Sequence, residues 1–203
     1  RNICVKLTIC RDDIIRIQAA EGTEVPVNNT EMVGNDFPHP VEFSLDEQDG
    51  TIEISTKALK ISIHKDPWNL SISNKNGKTF YKQFGEESRS FMKFESCPFG
   101  FLYDLSHNEK YACDSIYFND TEHFYGFGEK FTPLDKKGGN VNLWNTNGLG
   151  VYTERTYKNI PFFMSTGGYG IFINSSHKIN CNMGQHHYKA YSMMTGADHI
   201  DYY

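Results

Sequence analysis

Apolar and polar residues alternate with a period of two along most of this chain. Val5, Leu7 and Ile9 alternate with polar neighbours, Arg11-Asp12-Asp13 supplies a turn, and Ile15, Ile17 and Ala19 alternate again. This predicts a hairpin. A short helix over 12–20 competes, but Gly22 would leave it about two turns. Residues 21–40 hold three prolines and two glycines and predict a long excursion. Ile52/Ile54, Leu59/Ile61/Ile63 and Leu70/Ile72 predict a meander of three strands, closed by the turn Asn74-Lys75-Asn76-Gly77. Phe99/Phe101/Tyr103/Leu105 alternates, His107-Asn108-Glu109-Lys110 turns, and 111–118 returns. Phe162/Met164, Gly167-Gly168 and Tyr169/Ile171/Ile173 predict a last hairpin. No segment keeps a helical period over 12 residues, so the expectation is all-β: ten or so short antiparallel strands in a sandwich. No linker divides the chain, and residues 1–203 are expected to form a single domain.

Composition supports this pattern. The 203 residues include 15 Phe, 12 Tyr and 17 Gly, types that suit pleated surfaces and turns. The net charge is -5, and Lys136-Lys137 is the densest basic spot. Without a basic stripe, nucleic acid and anionic membranes are poor partners. No run approaches the ~18–20 apolar residues of a spanning helix, and 1–10 alternate rather than forming a signal-peptide core. Five cysteines (Cys4, Cys10, Cys97, Cys113, Cys181) are an odd number with no C-x-x-C, which suits reduced thiols and a cytoplasmic location. The triplets at Asn28, Asn69, Asn119 and Asn174 match the glycosylation pattern, but a chain rich in Asn, Ser and Thr produces such matches by chance.

Several chemistries fail on inspection. Gly126 and Gly128 begin a dinucleotide fingerprint, but the third glycine position is Phe131, and Pro133 opposes the required helix. There is no G-K-[ST] and no G-x-S-x-G. His186 and His187 are adjacent and would face opposite sides of a strand, so no metal site is expected. The 25 carboxylates include no pair in a recognisable acid–base context. No cofactor is implied.

Residues 124–174 are more specific. They contain Tyr125-Gly126-Phe127-Gly128-Glu129, Trp144-Asn145-Thr146-Asn147-Gly148, Tyr157-Lys158-Asn159-Ile160-Pro161-Phe162-Phe163 and Gly168-Tyr169-Gly170-Ile171-Phe172-Ile173-Asn174. This order resembles the N-terminal domain of glycoside hydrolase family 31, the α-glucosidase and α-xylosidase family, and looks most like its α-xylosidase branch. The resemblance implies a galactose-mutarotase-like β-supersandwich ahead of a catalytic (β/α)8 barrel. The barrel would follow residue 203, and both catalytic Asp would lie on it. The family's W-x-D-M-[ND]-E segment is not in this sequence, so no catalytic residue is assigned and the chain alone is expected to hydrolyse nothing.

The resemblance further implies that a loop, here 140–153, borders the leaving-group subsite for an α-linked oligosaccharide. Trp144 would supply an aromatic face for a sugar ring, and Asn145 and Asn147 amides for its hydroxyls. Asn147 stands where the family usually has Asp, so a charge-assisted bond is lost there. Gly126, Gly128 and Glu129 are expected to be structural, and Trp68 to pack rather than to bind sugar. Two other readings compete. One is a freestanding carbohydrate-binding sandwich. The other is a complete mutarotase-like epimerase, with a catalytic His drawn from His186, His187 or His199. A domain separated from its barrel should also expose an apolar patch and self-associate through it.

Overall fold

The computed structural model describes residues 2–28, 30–34, 37, 39–85, 98–148, 150 and 154–203. Cys97 and positions 149 and 151–153 of the 140–153 loop lie outside them. Among the described residues there are sixteen strands and no helix, so the 12–20 segment is a strand. β1 (Ile3–Arg11) and β2 (Ile14–Glu21) form the first hairpin, and its register shifts between Ile9 and Arg11. Ile15, Ile17 and Ala19 of β2 are buried, while the outward positions of β1 are only partly covered.

The meander is wider than its apolar alternation indicates. β4 (Thr51–Ser55), β5 (Leu59–Lys65) and β6 (Trp68–Asn74) lie between two further strands, β3 (Ser44–Gln48) and β7 (Thr79–Lys82). Every residue of β3 is exposed, so no buried face marks it in the sequence. A second five-stranded sheet has the order β11–β14–β15–β9–β8, from β8 (Gly100–Asp104), β9 (Glu109–Tyr117), β11 (Asn140–Leu143), β14 (Ile179–His187) and β15 (Ala190–Thr195). The turn between β8 and β9 falls earlier than the sequence predicts. Asn108 takes the positive φ of 54°, and Glu109 already pairs with Asp104.

Two three-stranded sheets complete the molecule. β10 (Phe124–Gly128), β12 (Asn159–Ser165) and β13 (Tyr169–Phe172) form one; β1, β2 and β16 (His199–Tyr202) form the other. One apolar cluster joins residues of all four sheets, from Ile17 and Ile61 through Phe163 and Met193 to Tyr202. Phe124, Phe127, Phe163 and Tyr191 pack ring on ring within it, with centroids 5.0–5.9 Å apart. The family-like Gly-Phe-Gly is a bulge in β10. Phe127 is fully buried at φ 69° between Gly126 and Gly128, and a side chain on either glycine would strike the backbone of β12.

Among the described residues, Asp114 of β9 lies in this core without a cationic partner. It accepts hydrogen bonds from Gln83 Nε2 (2.9 and 3.0 Å), the Tyr202 hydroxyl (2.5 Å) and the main-chain N–H groups of Phe99 (3.3 Å) and Ser115 (2.8 Å). Burial pushes its carboxyl up to about 6, and the donors pull the other way. Trp68 donates to Gln83 Oε1 (2.8 Å) and leans on Phe99, so it packs as expected.

Candidate functional site

The loop between β11 and β12 carries the three sugar-site candidates. Trp144, Asn145 and Asn147 are all exposed, and Trp144 shows 52% of its surface. The backbone under them is fixed. Asn145 bridges Thr156 in parallel, and Thr146 N–H donates to Thr156 O (3.2 Å). The Tyr157 hydroxyl donates to Gly148 O at 3.0 Å.

The candidates differ in what holds them. Asn145 Oδ1 accepts from the Asn159 N–H (3.1 Å) and from Asn159 Nδ2 (2.7 Å). Asn159 Oδ1 in turn accepts from Lys130 Nζ, which also reaches the Asn142 carbonyl. Burial lowers the Lys130 pKa, while Glu154 nearby favours the charge. Glu154 also binds the Asn142 amide. Asn145 is therefore part of the loop's frame. The side chains of Trp144 and Asn147 make no hydrogen bond to any described residue. A shallow cleft of about 330 Å³ takes in Trp144 and Asn145 together with Leu143, Asn159, Pro161 and His177. Asn147 lies outside this cleft.

Beside the loop, the outer side of β12 is apolar. Ile160 and Met164 are each 53% exposed and Phe162 38%, whereas Phe163 on the inner side is fully buried. Tyr157 continues the stripe toward Gly148 and is also exposed. The sequence held a signal for this face: 160–164 is apolar on both alternations, as in a strand covered on both sides. Period-two reading identified the strand but did not say which face lay outside. Glu129 pairs with Lys158 at 3.0 Å on the surface, so its charge has a partner.

The remaining candidates stay apart. His186 and His187 end β14 in one sheet, whereas His199 lies on β16 in another. The His187 ring packs on Phe84 and Tyr188, and His199 Nδ1 meets Asp198 at 3.0 Å. Among the described residues no group of three or more His, Cys, Asp or Glu is placed to hold a metal ion.

An assembly of antiparallel sheets around one apolar core, with no helix among the described residues, is consistent with a galactose-mutarotase-like domain. Residues 4–182 match the family model described as the glycosyl hydrolase 31 N-terminal galactose mutarotase-like domain, and the chain belongs to that family. It is 26% identical over 165 residues to alpha-xylosidase XylQ of Lactiplantibacillus pentosus, covering 81% of this chain and 21% of that protein. It is 25% identical to alpha-glucosidase 2 of Bacillus thermoamyloliquefaciens, covering 98% of this chain and 24% of the relative. Among solved structures, the GH31 dextranase of Flavobacterium johnsoniae complexed with isomaltotriose superposes with a TM-score of 0.80 at 25% identity. That match covers 100% of this chain and 25% of the dextranase chain. The chain thus spans a quarter or less of the length of these relatives.

Proposed function

We propose that this chain is the non-catalytic front domain of a retaining α-glycosidase of the α-xylosidase or α-glucosidase type. Its outer β12 face packs on a catalytic (β/α)8 barrel, and its 140–153 loop borders the leaving-group sugar subsite. One observation carries the reading: the Trp144–Gly148 tip is exposed, held from below, and continuous with the apolar stripe of Tyr157, Ile160, Phe162 and Met164. A ring face and an unengaged amide beside a surface that suits a partner domain form half of a sugar site. Binding the remote sugar there would orient the scissile bond.

The test is made in the parent protein. Trp144→Ala and Asn147→Ala should raise KM for an α-linked disaccharide severalfold without lowering the melting temperature. Unchanged kinetics in both variants would remove the loop from the subsite. The 203-residue chain alone should not turn over a p-nitrophenyl α-glycoside. Tight titration of xylose, isoprimeverose, maltose or isomaltose by that chain would instead indicate a freestanding binding module.

A further inference from the structure

Lys130 follows β10 and reaches under the loop between β11 and β12. It is half-buried, and its ammonium donates to the Asn142 carbonyl and to Asn159 Oδ1. The Thr156 hydroxyl donates to the same Asn159 oxygen at 3.3 Å. Asn159 therefore turns its Nδ2 the other way. That group gives one hydrogen to Thr156 O (3.2 Å) and the other to Asn145 Oδ1 (2.7 Å). Asn145 Oδ1 also accepts the main-chain N–H of Asn159 at 3.1 Å. The Asn145 nitrogen bonds to no described residue, and Asn145 lines the cleft of about 330 Å³ beside Trp144.

A side-chain amide can be turned end for end, so its polarity is set by its neighbours. Here both ends of the relay are fixed. An ammonium donates and never accepts, and the same is true of a main-chain N–H. The first faces Asn159 Oδ1, and the second faces Asn145 Oδ1. Reversing either amide would set donor against donor. Glu154, which binds the Asn142 amide, favours the Lys130 charge, whereas burial and Lys136 oppose it. Asn147 has no such anchor among the described residues and can present either end. Asn145 can offer only N–H outward.

We propose that Lys130 is a positioning residue: through Asn159 it locks Asn145 with its nitrogen outward, as an obligate donor to an acceptor oxygen of the leaving-group sugar. The inference rests on reading the loop as part of that subsite. The Lys130 charge polarises both amides in the same sense, which strengthens the N–H offered to the sugar. The oxygen of Asn145 thus belongs to the frame of the loop, and its nitrogen to the ligand. A hydroxyl contacted there must accept, and a sugar with no acceptor at that position is rejected.

The experiment uses the parent protein and an α-linked disaccharide. Each hydroxyl of its leaving-group sugar is replaced in turn by hydrogen or by fluorine. Fluorine accepts a hydrogen bond, weakly, but cannot donate one. At one position kcat/KM should fall about fivefold or more with hydrogen, and less with fluorine. Asn145→Ala should abolish this difference. So should Lys130→Met, although Asn145 is still present. The readout is a ratio within one variant, so a change in stability alone does not move it. Asn159→Asp covers the case in which the Lys130 variant fails to fold. It keeps an acceptor for the ammonium but aims a carboxylate oxygen at Asn145, which favours the reversed amide. Fluorine should then become as damaging as hydrogen. Equal losses with hydrogen and fluorine at every position of the unmodified protein overturn the proposal. So does a difference that survives in Asn145→Ala, in Lys130→Met or in Asn159→Asp. Failure of the subsite reading looks different: Trp144→Ala and Asn147→Ala then leave the kinetics unchanged as well.

Discussion

Two polar regions of this molecule are built on opposite terms. Around Asp114 both oxygens of a buried carboxylate are met by donors, and those donors come from two strands and two adjoining segments. At the Trp144–Gly148 tip the main chain is tied down, yet Trp144 and Asn147 present side chains with no hydrogen-bond partner among the described residues. A buried polar group left unpaired costs ~1–3 kcal/mol, whereas an exposed one is paired with water at little cost. The first region can therefore serve only the fold. On the proposed function, the second keeps its polar capacity for a ligand or a partner domain. Changes in the core knot should thus read out as stability, and changes at the tip as function.

The largest effect is expected where backbone conformation and packing agree. Gly128 sits at φ 82°, and a Cβ there would strike the Lys158 carbonyl and lie 2.9 Å from Ile160 N. Gly128→Ala should cost about 3 kcal/mol or more and shift the whole β10–β12 bulge, as measured by denaturant unfolding. Next comes Asp114→Asn, which sets an amide N–H against donors that the carboxylate accepts from. A loss of about 2 kcal/mol at pH 7 is expected. Its pH dependence is diagnostic. The folded carboxyl holds its proton up to about 6, against 3.8 for the unfolded group. Between these values the folded state binds more protons, so this group's contribution is full below pH 3.8 and is lost as pH rises through 6. At ~1.4 kcal/mol per pH unit the decline amounts to about 3 kcal/mol. In the Asn variant it should vanish; an identical pH slope in both proteins would mean that Asp114 titrates normally.

How much of this was legible in the sequence follows from where burial leaves a mark. β1, β2, β5 and β6 alternate apolar with polar residues because one face of each is covered, and those strands were readable. β3, Ser-Leu-Asp-Glu-Gln, is exposed throughout and carries no such trace. β14 loses its alternation because Gly184, at φ 95°, interrupts the pairing with β15. The loop candidates came from a motif, but the motif did not separate Asn145, which holds Asn159, from Asn147, whose side chain bonds to no described residue. That difference arises from Thr156 and Asn159 folding back under the loop, a contact across fourteen residues that no local pattern encodes. Gln83, the main donor to Asp114, was equally invisible: a lone Gln after a short strand has no signature until the sheets close on it.

The smaller predictions test the two asparagines and the surface against each other. Asn145→Ala should cost about 1 kcal/mol, because it frees the Asn159 N–H and amide, while Asn147→Ala should fall within ~0.5 kcal/mol of the parent chain. Equal losses would mean that the two amides share one role and that the tip is not divided into frame and ligand-facing parts. The smallest effect belongs to Glu129–Lys158. Both side chains are more than two-thirds exposed, so solvent screens the pair and side-chain entropy opposes it. Lys158→Ala should therefore change unfolding free energy by less than ~0.5 kcal/mol at any salt concentration. A loss well above that, weakening as salt is added, would show that the ion pair itself holds the bulge, and that the glycine backbone and the buried Phe127 are not sufficient to fix the turn.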